Sequence, residues 1–340
     1  VAGGPAVALL TARTPRKGLA LALMLLFAAG SAISALAPSY ELLLAGRLVS
    51  SFSHAAFLAL ALVTATSVVP PHKSGTAIAT VASGFTVATL LGVPLGALLG
   101  SSAGWRTPFA VLTALALAGL ALLAAVLPKQ PAPATRLREE IRLVTRRPVL
   151  LAIATTAVGF SGVAVVFTYI APLLTRESGF SSTAVSALLL TYGAGSFLGN
   201  LIAGRLTDRS MSATVRGVFG GLTGVLVLMP FAAAWRPSAV AAVLVLGLLA
   251  TATIAPLQGL ILRHAGGAPT LAVAANVGAF NLGAAAGSAL GGVIVSAGAL
   301  RWTGLAGAAL SLAGLALTCL ALPRTRTAAQ PAGDDVAAAA

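Results

Sequence analysis

The chain has 340 residues, 58% of them hydrophobic and only 8% charged, with a mean hydropathy of +0.99. Soluble domains carry about 25% charged residues, so the composition excludes one and points to an all-α polytopic membrane protein. The net charge of +14 would suggest nucleic acid as partner to a soluble chain, but here the charges lie between apolar runs, which excludes that reading.

At about 20 residues per span, ten complete segments are expected, at 19–38, 42–66, 75–100, 107–127, 149–172, 184–204, 214–233, 238–262, 270–297 and 302–322. An eleventh, residues 1–10, is cut short. The chain begins at Val1, already apolar and without the n-region or cleavage site of a signal peptide, so further helices are expected upstream.

Lysine and arginine fall in alternate connections. One set holds Arg13, Arg16, Lys17, Lys73, Lys129, Arg136, Arg138, Arg142, Arg146, Arg147, Arg205, Arg209, Arg216, Arg263, Arg324 and Arg326; the other holds only Arg106, Arg176, Arg236 and Arg301. The positive-inside rule places the first set, and the tail 323–340 with it, in the cytoplasm. The expected location is a cell membrane, with the lipid bilayer as partner.

The longest polar connection, 128–148, separates an incomplete N-terminal half, 1–127, from a C-terminal half, 149–322. Its stretch Ala134–Arg147 reads either as an amphipathic helix on the anionic inner leaflet, where each basic residue adds about 1 kcal/mol, or as an unstructured linker. The halves show an internal repeat. A shift of 196 sets Gly3, Thr11 and Arg13 over Gly199, Thr207 and Arg209; a shift of 195 sets Gly92, Gly96 and Arg106 over Gly287, Gly291 and Arg301. Parallel repeats of this kind build rocking transporters, with the substrate site between them near the midplane.

Gly75 to Gly104 carries no charge, and within it GFTVATLLGVPLGALLG (84–100) sets Pro94 among glycines. A proline inside a soluble helix costs about 3 kcal/mol. In a span, Gly84, Gly92, Gly96 and Gly100 are expected to let a neighbouring helix approach closely while Pro94 bends the helix.

Cys319 is the one cysteine, which excludes an intrachain disulfide, and His54, His72 and His264 lack zinc-binding spacing, so neither a metal nor another cofactor is expected. No polar catalytic cluster argues for an enzyme. Polar groups at span depth are the candidates for a path through the membrane. Arg47 either snorkels to the interface or faces a cavity. His54, whose residue type titrates at about pH 5–8, suits a proton relay, although a ring bonded to a backbone carbonyl is the preferred alternative. Asn200, Gln258, Asn276 and Asn281 either bind a ligand or hold helices together; Asn276 and Asn281, five residues apart, are expected to share a cavity-facing side. Tyr169 and Phe167 offer ring surface to a ligand or anchor a helix at the interface. No acid lies midway along a span.

These residues resemble the major facilitator superfamily, and within it the drug:proton antiporters. GPAVALLTARTPRKG (4–18) is similar to the family's loop between its second and third helices, with Arg13, Arg16 and Lys17 matching; Ala12 stands in place of the aspartate, which the second half retains in Asp208–Arg209. The family's loop latches the halves in one conformation. GRLVSSFSHAAF (46–57) resembles the fourth-helix motif, which implies a cavity role for Arg47, and 84–100 resembles the fifth-helix antiporter motif. GAGSFLGNLIAGRLTDR (193–209), GWRTPF (104–109) and AGGAPTLAVAANVGAFNLGAAAG (265–287) look most like actinobacterial chloramphenicol-resistance exporters. The resemblance implies the major facilitator fold of two helical-bundle halves, counted here without the first helix and part of the second. It implies a monomeric exporter in a bacterial inner membrane, with a small amphipathic drug such as chloramphenicol and protons as partners. A sugar or metabolite exporter, or a truncated fragment that does not transport, are the alternatives. The resembling exporters carry a coupling acid in their first helix.

Overall fold

The computed structural model describes residues 14–127, 137–266 and 269–321, and every regular element among them is helical. Arg13, the segment 1–10 and the tail 323–340 lie outside the described residues.

Helix α1 spans Arg16–Leu36 and α2 spans Tyr40–Ser67, where the Ser39 hydroxyl caps α2 by accepting from the Leu42 amide. Helix α3, Ser74–Ala103, runs through Pro94 and stops at Gly104, whose φ of 89° a side chain would strain. Helix α4, Thr107–Val126, carries Pro108 in its first turn, where the missing N–H has no helical partner to lose. The amphipathic stretch expected between the halves forms a short helix, α5, at Leu137–Val144.

Helix α6 is Arg147–Phe167, and α7 is Ser182–Ala232. The expected spans 184–204 and 214–233 share α7, whose 51 residues bend at Ser210, where φ is −159° and ψ is 94°. Span 238–262 divides into α8, Arg236–Ala252, and α9, Ile254–His264. Pro256 explains the break, since it cannot donate to the carbonyl of Ala252 four residues before it. Helices α10, Pro269–Ser296, and α11, Thr303–Ala321, complete the set. Among the described residues, eight helical stretches are long and apolar enough to cross a bilayer.

Apolar side chains gain nothing by leaving lipid, so the helices associate through small residues and close backbones. Gly30 of α1 faces Gly46 of α2, and Gly283, Gly287 and Gly291 of α10 lie against the α6 carbonyls of Ala157, Ser161 and Val165. Helix α7 packs along α8 and against α11, while α1 packs on α2 and α4.

Helices from before residue 127 meet helices from after residue 147 at the basic end. There α3 lies on α7 and α9, and α2 lies on α10. Leu62, Val63, Ile78 and Ala79 form one buried cluster with Val149, Leu260, Ile261 and Val277. Toward the opposite end Leu48, Phe52, Leu91, Leu95, Leu282 and Leu290 are exposed. The other buried clusters each draw on one set alone, so the contacts described between the two sets lie at the basic end.

At that opposite end arginines tie helix ends together. Arg106 Nη2 donates to the Ala37 carbonyl at 2.9 Å, and Arg301 Nε donates to the Pro230 carbonyl at 2.9 Å. These two residues are matched by the 195-residue shift, and each reaches from the turn after a long helix to the last carbonyls of another. Arg236 similarly donates to the carbonyls of Ser178 and Gly179.

Candidate functional site

The basic end is joined by hydrogen bonds as well as by apolar packing. Asp208, at the end of the first arm of α7, accepts from the Gly75 amide at 2.6 Å and from the Thr76 amide at 2.9 Å, and also from the Thr76 hydroxyl. The first amides of α3 have no partner within their own helix and carry the positive end of its dipole, so a carboxylate answers both needs. One and two turns deeper, Asn200 Nδ2 donates to the Ala79 carbonyl at 2.6 Å, and Gly75 and Gly204 let α3 and α7 touch backbone to backbone.

Part of this seam is left unsatisfied. Asn276 Nδ2 donates to Gln258 Oε1 at 3.2 Å, both residues being buried, yet Asn276 Oδ1, Asn200 Oδ1 and Thr207 Oγ1 are buried with no partner among the described residues. Each such group costs about 1–3 kcal/mol of lost hydration, which opening the seam would return.

On the open side, Arg47 and His54 lie two turns apart on α2, and both are exposed. The Arg47 guanidinium sits 5.8 Å over the Phe109 ring of α4. His54 bonds to no carbonyl among the described residues, contrary to the preferred expectation; His264 is the histidine that has such a contact, Nδ1 lying 2.9 Å from the Leu260 carbonyl. Across the cleft, the end of α6 builds a patch with α7 and α10. Phe167 stacks on Tyr192 with ring centres 4.4 Å apart, and the Thr168 and Ser288 hydroxyls are 2.7 Å apart. Tyr169 donates its hydroxyl to the Ser288 carbonyl at 3.1 Å, and its ring lies beside Gly291. Tyr169 is therefore occupied in holding α6 to α10, and Phe167 presents the exposed ring, backed by the half-buried Tyr192.

The other expected residues divide as follows. Asn276 is 0% exposed within the seam, while Asn281 is exposed and donates to the Val277 carbonyl of its own helix. Five residues turn an α-helix through about 140° beyond a full circle, so the expectation that the two share a side is corrected. Gln258 and Asn200 serve as contacts inside the seam. Of the expected latch residues, Asp208 crosses it; Lys17 donates to the Ala124 carbonyl of α4, Arg16 opens α1, and Arg209 lines a separate groove.

The helix motif is corrected as well. Among the described residues, no heavy atom lies within 4 Å of where a Cβ on Gly84, Gly92 or Gly96 would stand, and at Gly100 only Pro108 does. Close approach by α3 occurs at Gly75 instead, because α3 touches α7 near its first turns and leaves it beyond. Sequence reasoning missed Thr76, Phe109, Tyr192, Thr168 and Ser288. Tyr192 carried a usable signal, being one of three tyrosines and set in a span beside glycine.

Comparison with known proteins agrees with this architecture. The model of the Major Facilitator Superfamily matches residues 1–270. The chain is 37% identical over 320 residues to the uncharacterized MFS-type transporter YfhI of Bacillus subtilis, covering 94% of this chain and 81% of the relative. It is 40% identical over 295 residues to a chloramphenicol resistance protein of Streptomyces lividans, covering 84% of this chain and 74% of that one. Among solved structures, the transporter FucP in the outward conformation superposes with a TM-score of 0.81 at 14% identity, covering 95% of this chain and 86% of FucP. Eight span-length apolar helices among the described residues, helices packed through glycine and a match over most of the length lead to one conclusion: the chain belongs to the Major Facilitator Superfamily and is a multi-pass membrane transporter, not an enzyme.

Proposed function

We propose that this transporter exports a small amphipathic antibiotic, with chloramphenicol as the first candidate, in exchange for protons and by alternating access. It works as a monomer in a bacterial inner membrane, with its basic end and C-terminal tail in the cytoplasm. The observation that carries the reading is the asymmetry of the cleft: a polar seam closes the basic end while the opposite end stands open. That is one of the two states alternation requires, and the unsatisfied acceptors in the seam lower the cost of leaving it.

In this reading residues 1–127 and 149–322 rock as units about the linker. Phe167 and Tyr192 hold an aromatic ring, while the Thr168 and Ser288 hydroxyls beside them, and Asn281 two turns before Ser288 on the same face of α10, bind hydroxyl or amide groups. The Streptomyces lividans relative supports a phenicol as substrate. Arg47 and His54 line the facing wall, and His54 is the candidate proton relay of this reading.

The test is accumulation of labelled chloramphenicol in cells expressing the native gene, with and without a protonophore. Low accumulation that rises when the proton gradient collapses is the expected result. Accumulation equal to that of empty cells, with the protein found in the membrane, would discard the phenicol reading.

A further inference from the structure

Where α7 bends at Ser210, its two arms diverge and leave a cavity of about 390 Å³ against α8. Its lining includes the small residues Gly199, Ala203, Gly217 and Ala252; Gly217 opens onto free space, while Gly199 lies against the Leu248 backbone of α8. Its walls are mostly aliphatic, and Ile202 and Leu206 beside it are 46% and 43% exposed. These residues lie on the side of α7 opposite Asn200, Gly204 and Asp208, so the groove faces away from the seam. At its basic-end mouth stands Arg209, exposed and without a hydrogen bond to any described residue. Its neighbour Asp208 faces the other way, into the seam, so no carboxylate of its own helix neutralises it there.

We infer that this groove is a binding site for one anionic phospholipid of the surrounding leaflet, an acyl chain lying along Gly199, Gly217 and Ala252 and the phosphate resting on Arg209. A zwitterionic lipid offers the same chain but no net charge. Basic pockets between spans at the cytoplasmic level are a known kind of headgroup site, and the aliphatic channel below Arg209 supplies what a free phosphate could not use. The site lies on the back of the same α7 arm that carries Asp208 and Asn200, so its occupant holds the corner next to the seam.

Gly217 gives a clean perturbation. Nothing lies within 4 Å of a Cβ placed there, so Gly217→Leu adds bulk to the groove at a position whose first side-chain atom meets open space. Gly220→Leu, equally open but outside the groove, is the control. The delipidated full-length protein is titrated with dioleoylphosphatidylglycerol or dioleoylphosphatidylcholine, and the bound lipid is counted by native mass spectrometry. Expected is one phosphatidylglycerol held in preference to phosphatidylcholine, with Arg209→Gln and Gly217→Leu each weakening it by about fivefold or more, the weight of one basic residue at an anionic surface, and Gly220→Leu without effect. Equal retention of the two lipids by the unaltered protein, or unchanged phosphatidylglycerol retention in either variant, overturns the site.

Discussion

Gly75 and Asp208 are 133 residues apart in the chain, yet the amide of one donates to the carboxylate of the other at 2.6 Å. A carboxylate at a helix N-terminus is worth about 0.3–1 kcal/mol, rising to about 2 kcal/mol where partly buried. Asp208→Asn keeps an acceptor but removes the charge, and the closed seam should lose occupancy. With Cys319→Ser as background and a reporter thiol placed by Ile78→Cys in the buried cluster, maleimide labelling should speed up about fivefold in Asp208→Asn, the equivalent of roughly 1 kcal/mol. Equal labelling would show that the carboxylate does not hold the seam.

Two glycines of α3 should respond in opposite ways. A Cβ on Gly75 would stand 2.6 Å from the Gly204 carbonyl oxygen, so Gly75→Val should prevent closure, at an overpacking cost of about 1–3 kcal/mol, and abolish transport with the protein still in the membrane. Gly92→Ala meets open space and should leave both transport and abundance unchanged. Loss of transport in Gly92→Ala would show that another helix seats there during the cycle.

The stacked rings make a binding prediction. Phe167→Ala removes the partner of Tyr192, and aromatic pairs contribute about 0.5–1.5 kcal/mol beyond their area, so affinity for an aromatic drug should fall roughly two- to tenfold. Equilibrium binding of labelled chloramphenicol to the purified protein reads this directly. Tyr169→Phe loses only a helix-to-helix hydrogen bond and should lower thermal stability more than affinity.

Arg47→Gln and His54→Gln test the wall on α2. Arg47→Gln should abolish export while insertion proceeds, and His54→Gln should leave drug binding intact but remove its sensitivity to the proton gradient. Export by His54→Gln that still collapses with a protonophore would place the coupling group elsewhere.

Much of the architecture is legible because a bilayer imposes a strong rule: about 20 apolar residues in a row must be a helix with its polar backbone satisfied internally. All ten expected segments fall on helices for that reason, and Gly104 and the turn prolines mark several ends. Facing is harder to read. Gly75 and Gly92 sit in the same uncharged run, and only the angle at which α3 leaves α7 decides which of them touches a neighbour. The same difficulty explains Asn276 and Asn281, since alanine and glycine on every side of α10 give no apolar stripe from which to orient it. The corner at Ser210 and the break before Pro256 are of another kind: the first has no proline to announce it, and the second is written plainly as Pro256.

Arg301→Ala should lower the thermal stability of the protein, since a hydrogen bond from a charged donor is worth about 1.5–3 kcal/mol, and Arg106→Ala should do so similarly. Neither should change maleimide labelling of the seam reporter.

That last expectation follows from where the arginine ties begin and end. Arg106 and Ala37 both precede the linker, while Arg301 with Pro230, and Arg236 with Ser178 and Gly179, all follow it. No arginine tie described at the open end crosses from one bundle to the other, whereas Asp208 and Asn200 cross at the closed end. Among the described residues the molecule is built like a pair of jaws, each braced across its own tips and fastened to the other at the basic end, so the gap between the tips can widen or shut without unfastening a brace.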